Sequence, residues 1–382
     1  MTNNNIDTYD YVVIGAGAAG SIIAARLTEN PGTTVCVLEA GPSDLRPYVY
    51  VPAGFVKTLK QDAITWQFKT EPTEHTGNRP IEATQGRVVG GSGSVNGMVY
   101  NRGLPSDFDQ WAQFGNRGWG YEDVLPYFSK SEERMGFGAD KVRGRNKSGI
   151  PTTDMDWFHP VSEEFIKAAQ DAGLPLNADY NDGEQEGVGY FQRTIKNGLR
   201  KSSAAAFLKP ALKRSNLKLI KSATVTKLQF EGTRVIGAQY ICSASDKTKE
   251  IRARREVIVS AGTINTARLL QVSGLGPVDL LKDLGVSLVK DLPGVGENLV
   301  DHYSARMVMR ARPEVVTLNE LSKGPRLLWE IAKWAMQRPN ILSHAPSQVY
   351  MFTRSKPEID LPDLQCVFTP GSYKEDEHFL RP

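Results

Sequence analysis

Tyr11-Val12-Val13-Ile14-Gly15-Ala16-Gly17-Ala18-Ala19-Gly20 joins a short apolar strand to G-x-G-x-x-G and then to a helical pattern over Ser21 to Leu27. The stretch reads as a dinucleotide-binding turn. Gly15 permits the tight strand-to-helix turn, Gly17 lets the backbone approach a pyrophosphate, and Gly20 lets helix and strand pack closely. The helix N-terminus adds free N–H groups and the positive end of its dipole. The spacing alone is weakly specific, and context strengthens it. Thr33 to Leu38 reads as a second buried strand closed by Glu39, about 20 residues past the glycines, where a carboxylate accepts ribose hydroxyls. Its charge also argues against a 2′-phosphate. The plainer reading is a glycine turn in some other βαβ unit, with Glu39 merely solvated.

At 382 residues the chain exceeds the comfortable size of one core, so two domains, or one domain with a large inserted partner, are expected. Forty per cent hydrophobic residues, 23% charged residues and a net charge of +3 give no electrostatic case for a nucleic-acid partner. The cations at Lys141 to Lys147 read as a loop. Arg252, Arg254 and Arg255 are expected just before a strand, on its solvated end. Cys36, Cys242 and Cys366 are too few and too scattered for a disulfide framework or a metal site, and Cys36 reads as a buried reduced thiol. Met1 to Asp10 lacks the layout of a signal peptide, and no apolar run reaches the ~18 residues of a membrane span. A cytoplasmic location is the default expectation. Arg326 to Gln337 has a helical pattern with Arg326, Glu330, Lys333 and Gln337 on one face and Trp329 and Trp334 elsewhere. The aromatic side is expected on the core, with peripheral membrane contact as the alternative.

Gly41 to Ile81 reads as a long connection over the ligand-binding face, with a short strand at Trp66 to Thr70 and Trp66 as either a cofactor lid or a packing residue. Gly86-Arg87-Val88-Val89-Gly90-Gly91-Ser92-Gly93-Ser94-Val95-Asn96-Gly97-Met98-Val99-Tyr100 is a second glycine-rich segment, able to bring backbone N–H groups against a flat or anionic ligand. Two such segments point to a long ligand spanning both, which suits a flavin dinucleotide better than a nicotinamide. Helices are expected over Asp107 to Gly115, Tyr121 to Ser131, Val161 to Ala172 and Ser202 to Leu212. Gly136 to Pro160 and Asn177 to Gly189 read as irregular. From Leu217 the pattern changes to strands: Leu217 to Ile220, Thr224 to Phe230, Val235 to Ile241 and Glu256 to Val259. Ser260-Ala261-Gly262 then stands to its strand as the first glycine turn stands to its own, with a helix over Thr263 to Gln271. Beyond the tight loop at Pro293 to Leu299 a second β-rich region is expected.

These residues resemble the glucose-methanol-choline (GMC) family of FAD-dependent oxidoreductases, and the choline dehydrogenase-like alcohol dehydrogenases in particular. The carriers are Gly15, Gly17 and Gly20 with Glu39-Ala40-Gly41, the Gly86 to Asn96 stretch, Ser260-Ala261-Gly262 with Leu269 to Gly276, and Pro293-Gly294-Val295-Gly296-Glu297-Asn298 with Asp301-His302. The resemblance implies an α/β fold: a Rossmann-like FAD domain from 1–155 and 213–305, and an α+β substrate domain with an antiparallel sheet from 156–212 and 306–382. It puts the pyrophosphate at Gly15, Gly17 and Gly20, the adenosine ribose at Glu39 and the adenine at the backbone of Val225. Gly90, Asn96, Gly97, Met98 and Val99 fall to the pyrophosphate and isoalloxazine side. Ala18, Ala40, Arg87, Val88 and Ala261 complete the expected cofactor-binding set.

Val95 stands where covalently flavinylated members have histidine, so non-covalent FAD is expected. Gly93 and Ala267 are smaller departures from the family pattern. The family's catalytic base is a histidine in the C-terminal part, partnered by histidine or asparagine. None of His75, His159, His302, His344 and His378 matches it, so no catalytic residue is assigned and each reads as structural or exposed. The implied reaction is oxidation of a primary alcohol to an aldehyde, with a small-molecule alcohol as substrate and oxygen, a quinone or another carrier as electron acceptor. The chain then reads as a fragment of such an enzyme. A catalytically inactive flavin-binding protein and an NAD-dependent Rossmann dehydrogenase are the alternatives. A doubly wound sheet without its last segments leaves apolar faces uncovered, so the 382-residue chain expressed alone is expected to aggregate or to bind FAD weakly. Size-exclusion chromatography checks this, and a monodisperse yellow monomer would contradict it.

Overall fold

A computed structural model describes residues 6–138, 146, 148–243 and 247–372. Asn146 apart, the cationic stretch Lys141 to Lys147 lies outside the described residues, as does His378. The chain forms two compact units. The first comprises Met1–Arg46, Thr58–Val95 and Ser202–Arg306, and the second Pro47–Lys57, Asn96–Lys201 and Met307–Pro382.

The first unit is built on β1 (Asp7–Ile14), α1 (Ala18–Leu27), β2 (Val35–Leu38), β3 (Thr65–Lys69), β4 (Glu82–Gly86), β5 (Leu217–Ile220), β6 (Ala223–Glu231), β7 (Arg234–Cys242), β8 (Thr248–Val259) and α2 (Thr263–Val272). Its main sheet runs β5-β2-β1-β8-β7-β6. The first four of these strands are mutually parallel, and β7 and β6 complete the sheet antiparallel. Interior parallel strands are covered on both faces and read as unbroken apolar runs. Accordingly Val12, Val13 and Ile14 of β1 and all of β2 are buried. Each such side chain stabilises the fold by about 1.5–3 kcal/mol. Cys36 lies inside this layer as a free thiol, and burial pushes its pKa up to about 12.

The turn after β1 explains the glycine spacing. Gly15 sits at φ +99°, and a Cβ there would lie 2.3 Å from the Ser260 carbonyl oxygen. A Cβ on Gly20 would lie 1.9 Å from the Gly15 carbonyl oxygen. Both positions are therefore closed to side chains by the fold's own backbone. Helix α1 begins at Ala18, three residues before the expected start, because Gly17 serves as its N-cap without a side-chain hydrogen bond.

Several expectations are corrected. The arginines Arg252, Arg254 and Arg255 lie within β8, which starts at Thr248 rather than Glu256. Arg254 Nε donates to Asp10 Oδ1 at 3.0 Å, and Asp10 also accepts from the Thr34 backbone and hydroxyl, so the cations clamp the start of the sheet. The expected helix over Ser202 to Leu212 is a π-helical turn at Ala204–Leu208 followed by Lys209–Ala211. Within Gly136 to Pro160, read as irregular, Ile150–Thr153 is a strand that pairs parallel with Glu132–Met135. Gly187–Tyr190 is a strand rather than the end of a loop. It pairs antiparallel with Val349–Thr353, which pairs in turn with Leu364–Phe368. This three-stranded sheet centres the second unit, where Tyr180, Phe191, Tyr350 and Phe352 form an aromatic core. No strand lies between Leu299 and Thr317, where the β-rich region was expected to begin.

The helix Gly324–Ala335 inverts its expected orientation. Glu330, on the polar face, is buried, pairs with Lys333 and accepts from the Ile341 N–H at 3.0 Å. Leu328, Trp329 and Ile331 are exposed, while Trp334 is held by a hydrogen bond from its indole N–H to the Gly198 carbonyl. A carboxylate that satisfies a buried backbone donor outweighed the aromatic stripe.

Gly20→Ala is expected to cost more than 3 kcal/mol, because backbone must move to admit the methyl. Gly232→Ala, at φ +61° with nothing within 4 Å, should cost only about 1 kcal/mol. Chemical denaturation of the two variants checks the contrast. Hydrogen bonds from Arg254 and Thr34 hold the Asp10 carboxyl well below the usual 3.8. Its stabilising contribution is therefore present above that value and lost as the pH falls through the depressed one. The melting-temperature deficit of Asp10→Asn should accordingly shrink in acid.

Candidate functional site

The first unit carries a cleft of about 1340 Å³, bordered by the Gly15 turn, the N-terminal end of α2 and the β3–β4 hairpin. This exceeds the ~300–1,000 Å³ of ordinary small-ligand pockets and suits an elongated guest. One wall joins the two glycine-rich segments. The Gly90 N–H donates to the Ala16 carbonyl at 2.8 Å, and a Cβ on Gly91 would lie 2.8 Å from Gly17 Cα. The segments read separately in the sequence thus form one surface.

Gly17 differs from its neighbours. A Cβ there would meet only Gly91 Cα, at 3.8 Å, an ordinary contact. Protein packing does not demand this glycine, whereas Gly15 and Gly20 are demanded by it. Gly17 faces the cleft as the N-cap of α1, with no side-chain hydrogen bond to the first-turn N–H groups, and a side chain there would project into the cleft. That is the fit expected for a pyrophosphate lying against backbone N–H groups.

Glu39 follows β2 at the cleft wall and is 5% exposed, which rules out a merely solvated carboxylate. One oxygen accepts from the Ala16 N–H and the other from the Gly41 N–H, each at 2.8 Å. Burial raises its pKa, while these two N–H donors and the Arg87 charge act in the opposite sense. A carboxylate oxygen has two lone-pair sites, so each oxygen keeps capacity for a hydroxyl donor from the cleft. Glu39 therefore locks the Gly15–Gly17 turn to the end of β2 and keeps acceptor capacity at the cleft.

Of the residues expected at the cofactor, Gly15, Gly17, Ala18, Glu39, Ala40, Val225 and Ala261 line the cleft together. Gly20 lies behind it, packed on Gly15. Val88 and Gly90 are buried in the supporting wall, and Gly90 takes the left-handed conformation. Arg87 sends its guanidinium over the Trp66 ring, 4.7 Å from the centroid, and Arg268 approaches the same ring at 5.8 Å. Trp66 itself lines the cleft. Asn265, absent from the expected set, also lines the cleft, and its buried Oδ1 lacks a partner among the described residues. Its position three residues after Gly262, on the first turn of α2, was the available signal.

Asn96, Gly97, Met98 and Val99 belong to the second unit, where they form a separate built turn. Met98 is fully buried at φ +60°, a left-handed conformation that costs an ordinary residue about 1–2 kcal/mol. Three interactions hold it. Its N–H donates to Asn96 Oδ1 at 3.1 Å, its carbonyl accepts from the Thr194 N–H at 2.9 Å, and its side chain packs with Ile195 and Ala345.

The described histidines show no shared constellation. His75 and His302 are exposed. His159 caps the helix Pro160–Asp171 through Nδ1 and meets the Val316 carbonyl through Nε2. His344 is buried beside Arg193, and burial first, then the Arg193 charge, holds its pKa well below the usual range. Among the described residues no group of three or more His, Cys, Asp or Glu could hold a metal ion. No helix among them is long and apolar enough to cross a membrane.

Residues 9–304 match the model of the GMC oxidoreductase family, GMC_oxred_N. The chain is 39% identical over 367 residues to an oxygen-dependent choline dehydrogenase of Brucella suis, covering 96% of this chain and 66% of that protein. It is 36% identical, with the same coverage, to an alcohol dehydrogenase [acceptor] of Pseudomonas putida. The chain thus spans about two thirds of the length of these relatives, 66% in each case. Among solved structures, a formate oxidase superposes with a TM-score of 0.87 over 96% of this chain and 69% of its own, at 24% identity, a likeness of fold.

Replacing Glu39 by Gln puts an N–H₂ group against one of two backbone donors and should cost about 1–3 kcal/mol. Thermal melts of Glu39→Gln with and without added FAD are expected to show a lower midpoint and a smaller FAD-induced rise.

Proposed function

The chain belongs to the GMC oxidoreductase family, and from that premise we propose that it forms the FAD-binding portion, with part of the substrate portion, of an enzyme that oxidises a primary alcohol to an aldehyde. The carrying observation is the junction of Ala16 and Gly17 with Gly90 and Gly91 beside a cleft of dinucleotide size. A nicotinamide turn leaves the second glycine segment unused, whereas FAD gives it a role.

Bound FAD supplies a two-electron acceptor for the hydride on the carbinol carbon. The protein's own residues bind and orient. The α1 N-terminus and Gly17 take the pyrophosphate, Glu39 the ribose hydroxyls, and the Val225 backbone the adenine. Arg87 supports the wall through Trp66, and the Asn96–Val99 turn serves the isoalloxazine. Val95 offers no nucleophile, so the cofactor is held non-covalently. FAD is assigned to 1–155 with 213–305 and the alcohol to 156–212 with 306–382, a functional division distinct from the compact units. The substrate is a small-molecule alcohol, with oxygen or another carrier as electron acceptor. The location is cytoplasmic, with peripheral membrane contact through the exposed Leu328, Trp329 and Ile331 supported by their exposure.

The enzyme in its full native length, loaded with FAD and kept anaerobic, is expected to lose its yellow absorbance when given primary alcohols, choline among them. An unchanged spectrum across such a panel would count heavily against the proposal. Acid precipitation should release FAD into the supernatant, and yellow colour retained in the washed pellet would overturn the non-covalent assignment.

A further inference from the structure

The helix Gly324–Ala335 turns its apolar side outward. At about 100° per residue, Leu328, Trp329, Ile331, Ala332 and Ala335 share an arc of about 160° with Pro325 and the C-cap Met336, and no polar side chain of the helix falls inside it. Leu328 is 69% exposed and Trp329 56%. The opposite arc is the one the fold consumes. Glu330 is buried against the Ile341 N–H and Trp334 is tied to the Gly198 carbonyl, so the outward side of the helix is fixed from behind. Contiguous exposed apolar surface of this kind marks an interaction site.

The charges around the arc say what it meets. Lys323 and Arg326 are exposed at the start of the helix and Arg338 just beyond its end, while Lys333 lies at the border of the arc, paired with Glu330. The acids of 317–345 are Glu320 and Glu330, and neither serves the arc: Glu330 is buried, and Glu320 is engaged by Thr317 in a capping box. A second copy of this chain is a poor occupant. A two-fold pairing of this face, parallel or antiparallel, brings Lys323 and Arg326 of one copy against cations of the other. A surface with an apolar interior and negative groups at its boundary complements both features, and an anionic bilayer is such a surface.

Resting on the peripheral contact proposed above, we propose that the helix Gly324–Ala335 lies flat in the headgroup layer of an anionic membrane. Leu328, Trp329 and Ile331 enter the acyl boundary, and Lys323, Arg326 and Arg338 meet lipid phosphates at both ends. A helix of 12 residues buries little apolar area, so binding depends on these charges as well.

The test is co-sedimentation of the enzyme in its full native length with vesicles of phosphatidylcholine alone, or of phosphatidylcholine and phosphatidylglycerol in equal parts. The anionic vesicles are expected to bind at least about tenfold tighter. High salt, which cuts the Debye length to about 3 Å, should remove that difference. Arg326→Gln combined with Arg338→Gln should weaken anionic binding about 30-fold, whereas Leu328→Gln should weaken binding to both kinds of vesicle. Phosphatidylglycerol with brominated acyl chains should quench tryptophan emission in the wild type and less in Trp329→Phe. Equal binding to both vesicles at low salt overturns this inference and leaves the peripheral contact standing. No binding to either, as when the rest of a longer chain covers the helix, overturns both. Unchanged binding in Leu328→Gln puts the contact elsewhere and also overturns the inference. So does a dimer that ignores anionic vesicles and that Leu328→Gln dissociates, which would assign the face to a second copy.

Discussion

The first unit depends on the close approach of backbone to backbone at the end of β1. The Gly15 position meets the Ser260 carbonyl, Gly20 meets the Gly15 carbonyl, and Gly91 meets Gly17. Three segments far apart in the chain are brought together where side chains are absent. The geometry leaves two results. The parallel strands β1 and β8 end side by side, and the peptide groups of both glycine segments stand at one cleft wall.

Glu39 completes that arrangement. A buried carboxylate is costly, and this one is retained because two backbone N–H groups satisfy it. Both donors flank the strand ends, so the residue that would take a ribose also holds the phosphate turn in place. The same economy recurs at the Asn96 turn, where one carboxamide oxygen serves both a strained Met98 and a buried Arg200.

Legibility varied with the kind of signal. Apolar runs such as Val12 to Ile14 and Val35 to Leu38, with their glycine punctuation, announced strands and turns directly, because burial on both faces leaves no other composition. Of the cofactor set, the residues on the Gly15 turn, after β2, within β6 and after β8 meet at the cleft. The Arg252–Arg255 cluster misled because an outer-facing cation does not interrupt a strand whose partners supply Asp10. Gly187 to Tyr190 misled because its glycines suggested a loop, while Tyr350 packs over Gly189 where a side chain would collide. The helix Gly324–Ala335 misled because periodicity ranks residues by polarity and cannot see the Ile341 N–H that Glu330 satisfies.

The sequence by itself determined the α/β class, the dinucleotide turn and the family, since each rests on local order: a strand, a spacing of glycines, a motif in register with its helix. Tertiary structure alone decided which glycines the packing demands and which it does not, that Glu39 is buried, and that Arg200 reaches Asn96. Those facts depend on which backbone atoms lie a few ångströms away across long loops, and no local pattern encodes that distance.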